Sequence, residues 1–313
     1  MSMVDEQLVK QLSKASDIET NIVNNPHIAH LFIHHHKVIG AHLIPGLKVD
    51  VKEMTDGIKV SMVVEKGSVI EKPVHLCFGM FPEKGIQKII MSVNIEDGAS
   101  ISILAHCTFP NAVDVQHIMD AQINVGKNAR YSYFERHIHG DLGGVKVYPT
   151  AVINLDEGAQ FKTEFELLKG CVGLIDMNYE TNCKARSIAE MNARINGRGD
   201  DVIAIRETGN LLGEYSRGVL TSRVALRDNA KADVYNKIKA TAAYARGHVD
   251  CKEIIQDNGV AKATPIVEVN NPKAHVTHEA SIGSVDSKQL QTLMSRGLSE
   301  DDAVELIIQG LLS

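Results

Sequence analysis

The sequence contains no tryptophan, and seven tyrosines with seven phenylalanines hold aromatics to 4% of its 313 residues. A core of this size, built from 44% hydrophobic residues, therefore cannot rest on bulky aromatic anchors. Abundant Val, Ile, Ala and Gly favour small side chains stacked in layers, the packing of a β-solenoid. The same scarcity removes the aromatic platform that a β-helix carbohydrate enzyme needs beside its paired acids. A basic surplus is also missing. Lys and Arg number 33 against 39 Asp and Glu, a net charge of -6 with no Lys/Arg run, which excludes an electrostatic grip on nucleic acid. No stretch reaches membrane-spanning length. The opening MSMVDEQLVKQLSKAS is acidic where a signal peptide is basic, and no apolar run follows it. Cys77, Cys107, Cys171, Cys183 and Cys251 are odd in number, widely spaced and free of any CxxC pair, so neither a disulfide framework nor a zinc knuckle is indicated. These absences together predict a globular protein of the reducing cytoplasm with no nucleic-acid or membrane partner.

What is present is a repeat. Val93-Asn94-Ile95-Glu96-Asp97-Gly98-Ala99 returns as Ile123-Asn124-Val125-Gly126-Lys127-Asn128-Ala129 and as Ile153-Asn154-Leu155-Asp156-Glu157-Gly158-Ala159, 30 residues apart each time. Each copy reads as a strand entering a turn whose Gly or Asn takes positive φ. Weaker echoes stand at Val64 to Ser68, Leu226 to Ala230 and Gln256 to Val260. A fixed period of this size without helical signals between the strands predicts a parallel β-helix. Lys48 to Val64 alternates apolar and polar residues around the turn signal Asp56-Gly57, as a hairpin does.

The flanks have helical spacing. Val4, Leu8, Val9 and Leu12 form an apolar stripe, with Asp5 and Glu6 in the first turn to complement the helix dipole. At the other end Asp286 caps a helix that Gly297 closes, and Ser299 caps a second with Asp301 and Asp302 in its first turn. The predicted organisation is a helical segment over 1–45, a β-helix core over 46–284 and a helical segment over 285–313. Ala303, Val304, Ile307, Ile308 and Leu311 make an apolar face on the last helix. They either cap the solenoid or, with Leu293 and Met294, dock a partner.

Candidate chemistry concentrates between Cys251 and Ser284, where a thiol at Cys251, carboxylates at Glu268 and Glu279 and imidazoles at His275 and His278 suit iron or zinc better than calcium or magnesium. Cys251 and His278 are 27 residues apart, close to one coil, which predicts neighbouring coils. Adjacent His278 and Glu279 face opposite sides of a regular strand, so both reach one site only if the chain bends or a second subunit contributes. Elsewhere the signals are weaker. The run His34-His35-His36 points in three directions and reads as surface or packing. Cys107 and His137 share a repeat position that continues into Leu167, which reads as interior packing. His137 and His139 share a strand face with no third ligand nearby in sequence, Cys171 and Cys183 read as buried thiols, and Gly197 to Asp201 reads as an exposed flexible loop without a cofactor.

The ending HEASIGSVDSKQLQTLMSRGLSEDDAVELIIQGLL, together with Tyr215-Ser216-Arg217-Gly218-Val219, Asn229-Ala230, Cys251, Pro265 to Val269 and Asn271, resembles the SufB/SufD family of iron–sulfur cluster assembly scaffolds. That resemblance implies a right-handed parallel β-helix with C-terminal helices. It also implies a non-enzymatic scaffold on which a SufC-like ABC ATPase docks through those helices. Two scaffold subunits, identical or paralogous, pair through their cores, and a nascent iron–sulfur cluster forms between them for transfer from a sulfur donor to recipient apo-proteins. By position Cys251 matches the essential cysteine of SufB-type members, and His278-Glu279 matches the His-Glu pair beside it. Glu268 lies within the matching Pro265 to Val269 signature. The turn between Cys251 and Pro265 is one residue shorter than in bacterial SufB, Gly259 stands where those proteins carry a further cysteine, and their long N-terminal extension is missing. A compact archaeal-type member fits this pattern. Two roles stay open for it, a cluster-building scaffold and a SufD-like structural partner in which Cys251 is a buried bystander.

Overall fold

The computed structural model describes residues 3–18 and 20–313, with the side chains of residues 3–5, 20 and 21 outside that description. Helix α1 (Met3–Ala15) and the short α2 (Thr20–Val23) lead into a hairpin of β1 (His30–His34) and β2 (Lys37–His42). Val9 and Leu12 bury against Phe32, Ile39 and Cys77, so the apolar stripe of α1 packs on the hairpin and the sheet beside it. Of the residues expected on that helix, Val4 and Asp5 lie outside the described side chains.

A second hairpin, β3 (Leu47–Met54) with β4 (Gly57–Val64), pairs Met54 with Gly57 across the expected turn. From there the chain alternates between two sheets. One carries β5 (Val74–Gly79), β7 (Ser100–Phe109), β9 (Arg130–His139), β11 (Gln160–Lys169), β13 (Ile188–Gly197), β15 (Arg217–Leu226), β17 (Arg246–Ile255) and β19 (His275–Gly283). The other carries β4 and then β6 (Lys84–Ile95), β8 (Asp114–Val125), β10 (Val145–Leu155), β12 (Gly173–Cys183), β14 (Val202–Leu211), β16 (Lys231–Ala240) and β18 (Val260–Val269). All neighbours in these two rows are parallel, which makes a β-solenoid of about eight coils.

The repeat is the corner between the sheets. Gly98, Asn128 and Gly158 take φ of 68°, 55° and 70°, the left-handed conformation their residue types tolerate. Ala99, Ala129 and Ala159 stack behind them, with Arg130 N donating to Ala99 O at 2.8 Å and Gln160 N to Ala129 O at 2.9 Å. The column continues through Ser187, Ser216 and Ala245, all small and fully buried. The repeat's asparagines form a ladder outside, Asn154 Nδ2 donating to Asn124 Oδ1 and Asn182 Nδ2 to Asn154 Oδ1, each at 3.2 Å. After Gly158 the same corner passes to Arg186, Tyr215 and Tyr244, all at positive φ. The echoes at Leu226 to Ala230 and Gln256 to Val260 belong instead to the opposite corner, where Asp228 and Asp257 take that conformation. Both corners ask for the same backbone, so their sequences look alike.

Two other expectations change. Residues 1–45 are not helical throughout, because β1 and β2 join the first sheet through parallel pairing of β1 with β5. Gly197 to Asp201 is a corner rather than an exposed loop. Asp201 is buried there and accepts from Val172 N at 3.1 Å, Gly173 N at 2.9 Å and Arg198 N at 3.0 Å. Cys107 and His137 are register partners inside the solenoid, and Leu167 continues their column.

At the C-terminus α3 (Ser287–Met294) is capped by Asp286, which accepts from Gln289 N, and α4 (Glu300–Leu312) by Ser299, which accepts from Asp302 N. Ala303, Val304, Ile308 and Leu312 are buried, and Val304, Ile308 and Leu312 pack with Ala225 and Val285. Glu305 ties α4 down further through Arg227 at 2.8 Å and Arg198 at 3.3 Å. Among the described residues no helix is long and apolar enough to cross a membrane.

Candidate functional site

Cys251 sits in the middle of β17, where alternation turns Val249, Cys251 and Glu253 inward and Asp250 and Lys252 outward. Its ladder neighbours are Ser222 on β15 and Ala280 on β19, so one coil separates it from the end of the solenoid. Asn236 approaches from the opposite sheet, its Nδ2 3.8 Å from the Cys251 Sγ. Burial pushes the thiol up to about 11, and the nearby carboxyls of Glu253 and Glu207 push the same way. In the isolated chain Cys251 is a protonated thiol at neutral pH.

The surroundings are more polar than the residue's burial suggests. Burial lifts Glu207 to about 8 and Glu253 to about 7. Glu207 Oε2, both oxygens of Glu253 and Asn236 Oδ1 are buried without a hydrogen-bond partner among the described residues. Unpaired acceptors around a thiol are costly in a closed interior and are satisfied when a cation arrives. None of Glu207, Asn236 or Glu253 was singled out by the sequence patterns above. The available signal was alternation, since Glu253 falls on the inward lane two residues beyond Cys251.

The other candidates take different positions. His278 is the register partner of Val249, on the same inward-facing lane as Cys251 but two residues away, roughly 8 Å by strand geometry. Glu279 pairs in register with Asp250 on the outer face, beside the Asp250–Arg223 ion pair. β19 runs as an unbroken strand through both residues, so within one chain they face opposite sides. Glu268 lies on β18, in the other sheet, where Lys237 and Lys239 each approach at 3.2 Å. Lys239 and then Lys237 hold its carboxyl below the ordinary carboxylate value. His275 is exposed at the start of β19. The structure therefore brings His278 toward Cys251 and leaves Glu279, Glu268 and His275 on other surfaces of the chain.

The last coil is open. β19 and β18 are the terminal strands of their sheets, and their inward-lane residues His278, Ala280 and Ile282 are exposed where equivalents in earlier coils are buried. An edge with free backbone donors and acceptors, lined by apolar and imidazole side chains, is a surface suited to pairing.

Comparison with known proteins agrees with this architecture. Residues 82–311 match the family described as SUF system FeS cluster assembly, SufBD core domain. An iron-sulfur cluster assembly SufBD family protein of Methanocaldococcus jannaschii is 40% identical over 267 residues, covering 85% of this chain and 84% of that protein. A protein of the same description from Pyrococcus horikoshii is 35% identical over 302 residues, 96% of this chain and 92% of its own length. A protein named iron-sulfur cluster assembly protein SufB from Bacillus subtilis is 39% identical over 69 residues, 22% of this chain and 15% of that protein. With its solenoid, C-terminal helices and these matches, the chain belongs to the SufBD family of iron–sulfur cluster assembly proteins.

Proposed function

We propose that this protein is the scaffold subunit of a cytoplasmic SUF-type complex, and that it holds a nascent iron–sulfur cluster as cargo between two solenoids. The observation that carries this reading is the place of Cys251, one coil inside an open end and ringed by unpaired polar atoms. Cys251 anchors the cluster through its thiolate. Iron arriving at the site displaces the thiol proton that burial otherwise retains, because a bound cation reverses the local pKa balance. One chain offers too few thiolates at this end to surround a cluster, so a second copy or a paralogue supplies the rest of the shell. The straight course of β19 supports the same arrangement. His278 serves the Cys251 of its own chain and Glu279 reaches the shared site across the interface. Glu268, held by two lysines, supports the last coil and joins the shell through the partner.

In this reading the chain is no enzyme itself. An ABC-type ATPase supplies the work and docks on α3 and α4, where Lys288, Gln289, Thr292, Leu293, Leu306 and Ile307 line an open groove of about 420 Å³. Sulfur enters from a donor protein and the finished cluster leaves to recipient apo-proteins. The local match to a protein named SufB favours this role. A second reading, a SufD-like structural partner without cluster ligands, is favoured by the burial and raised pKa of Cys251. Anaerobic reconstitution with iron and sulfide, read on wild-type and Cys251→Ser protein, separates the two.

A further inference from the structure

Four to five coils from Cys251, roughly 19–24 Å along the solenoid axis, the interior holds a second polar cluster that the cluster-assembly reading does not use. On β9 the inward lane reads Tyr131, Tyr133, Glu135, His137, His139, all buried. Cys107 on β7 is the register partner of His137. Glu135 Oε1 is 2.8 Å from His137 Nε2 and 3.8 Å from Cys107 Sγ, and Tyr179 donates to Glu135 Oε2 at 3.4 Å. One ligand atom from each of Cys107, Glu135 and His137 lies within 4.8 Å of the other two. His137 Nδ1 is in turn 3.2 Å from His139 Nε2.

This grouping is expensive without an ion. A carboxyl, a thiol and three imidazoles share a closed apolar interior, where burial favours the neutral form of each. His117, from β8 in the facing sheet, stands beside His137 with ring centroids 5.8 Å apart, and neither of its buried ring nitrogens has a hydrogen-bond partner among the described residues. His139 Nδ1 is likewise buried and unpaired. Three imidazole nitrogens, two on His117 and one on His139, are thus buried without a hydrogen-bond partner among the described residues.

We propose that Cys107, Glu135 and His137 form a buried mononuclear site for a borderline divalent transition-metal ion, zinc or ferrous iron, and that neighbouring His117, outside the group of three within 4.8 Å, turns in on binding as the fourth ligand. Thiolate, carboxylate and neutral imidazoles around a dication sum to zero charge, which suits an interior that tolerates no net charge. Sulfur with imidazole selects against calcium and magnesium, and four protein ligands describe a closed structural site. On binding, Cys107 loses its proton to solvent, and a protonated Glu135 loses a second. His137 then coordinates through Nε2, carries its proton on Nδ1 and donates it to His139 Nε2, while Tyr179 orients the carboxylate. Both are the outer hydrogen bonds such ligands ordinarily have. No electron is transferred.

The test uses full-length protein carrying Cys251→Ser, so that cluster chemistry at the open end does not contribute iron. Anaerobically purified and dialysed, this protein is expected to hold about one equivalent of zinc or iron by elemental analysis with no acid-labile sulfide, as a closed site implies. After chelation, cobalt(II) added alone is expected to give a thiolate-to-cobalt absorption band. Adding Cys107→Ser abolishes the band, and Glu135→Gln lowers cobalt affinity at least tenfold. Circular dichroism checks that each variant is folded. A folded Cys251→Ser protein that holds no metal and gives no thiolate-to-cobalt band overturns the site without recourse to further variants. A band that survives in folded Cys107→Ser overturns it equally. Neither result bears on the role of Cys251.

Discussion

Cys251 and Ala280 are register partners on the last two strands of one sheet, so the inward lane that buries the thiol emerges one coil later at an exposed surface. The thiol is buried, yet a single further strand layer separates it from the exposed end of the solenoid.

The proposed pairing of two solenoids puts that exposed layer at the subunit contact. Ile282 is an exposed large hydrophobic on the inward lane of β19, with no coil beyond to cover it. Ile282→Arg should leave the solenoid folded and convert a dimer to a monomer, read by light scattering. A variant that stays dimeric would place the subunit contact elsewhere.

The C-terminal helices divide into two faces. Ile308 is buried against the solenoid, whereas neighbouring Ile307 lines the groove between α3 and α4. Ile307→Glu should abolish co-purification with a SufC-like ATPase at a smaller cost in thermal stability than Ile308→Glu, because Ile307 is only half-buried against the cluster that encloses Ile308. Ile308→Glu should instead destabilise the helix's attachment by roughly 2–5 kcal/mol, since it places an unpaired charge in an apolar contact. ATPase binding retained by Ile307→Glu would return the groove to a simple capping role.

Buried carboxyls near Cys251 set a pH dependence. Folding raises Glu207 from an ordinary 4.5 to about 8 and Glu253 to about 7. The folded state then binds more protons than the unfolded chain, so their contribution is full below pH 4.5 and is lost as pH rises through the folded values. In metal-free protein the buried imidazoles His117 and His137, depressed to about 3, act oppositely, but only below their ordinary 6.5. Between pH 6.5 and 8 stability should therefore fall, and Glu207→Gln should flatten the fall by roughly 1–2 kcal/mol. Urea unfolding across this interval checks it. A wild-type protein that gains stability over the same range would contradict the assignment.

Much of this architecture is legible in the sequence because a solenoid repeats its demands. Ala99, Ala129 and Ala159 recur because each corner admits only a small residue, and Gly98, Asn128 and Gly158 recur because each corner needs positive φ. The same economy misleads at Leu226 to Ala230, where the opposite corner uses the same chemistry. The hairpin of β1 and β2 is hidden because His30 to Ile33 are all buried, which erases the alternation that marks a strand. The site is legible only where residues are close in sequence or one coil apart. Cys251 and His278 meet that condition. Glu207 and Asn236 reach Cys251 from the facing sheet, and Glu135, on the same strand lane as His137, gains significance only once the register of β7 with β9 places Cys107 beside them.

The role of Cys251 is tested most directly by the iron and acid-labile sulfide that folded protein retains after anaerobic reconstitution. Cys251→Ser should retain neither as a cluster. Glu279→Ala should retain a small fraction, because in the proposed arrangement its carboxylate completes the shell across the subunit interface. Cys107→Ser, altered far from the open end, should keep sulfide at the wild-type level. A folded Cys251→Ser protein with wild-type iron and sulfide would contradict the scaffold mechanism and leave the chain as a structural partner.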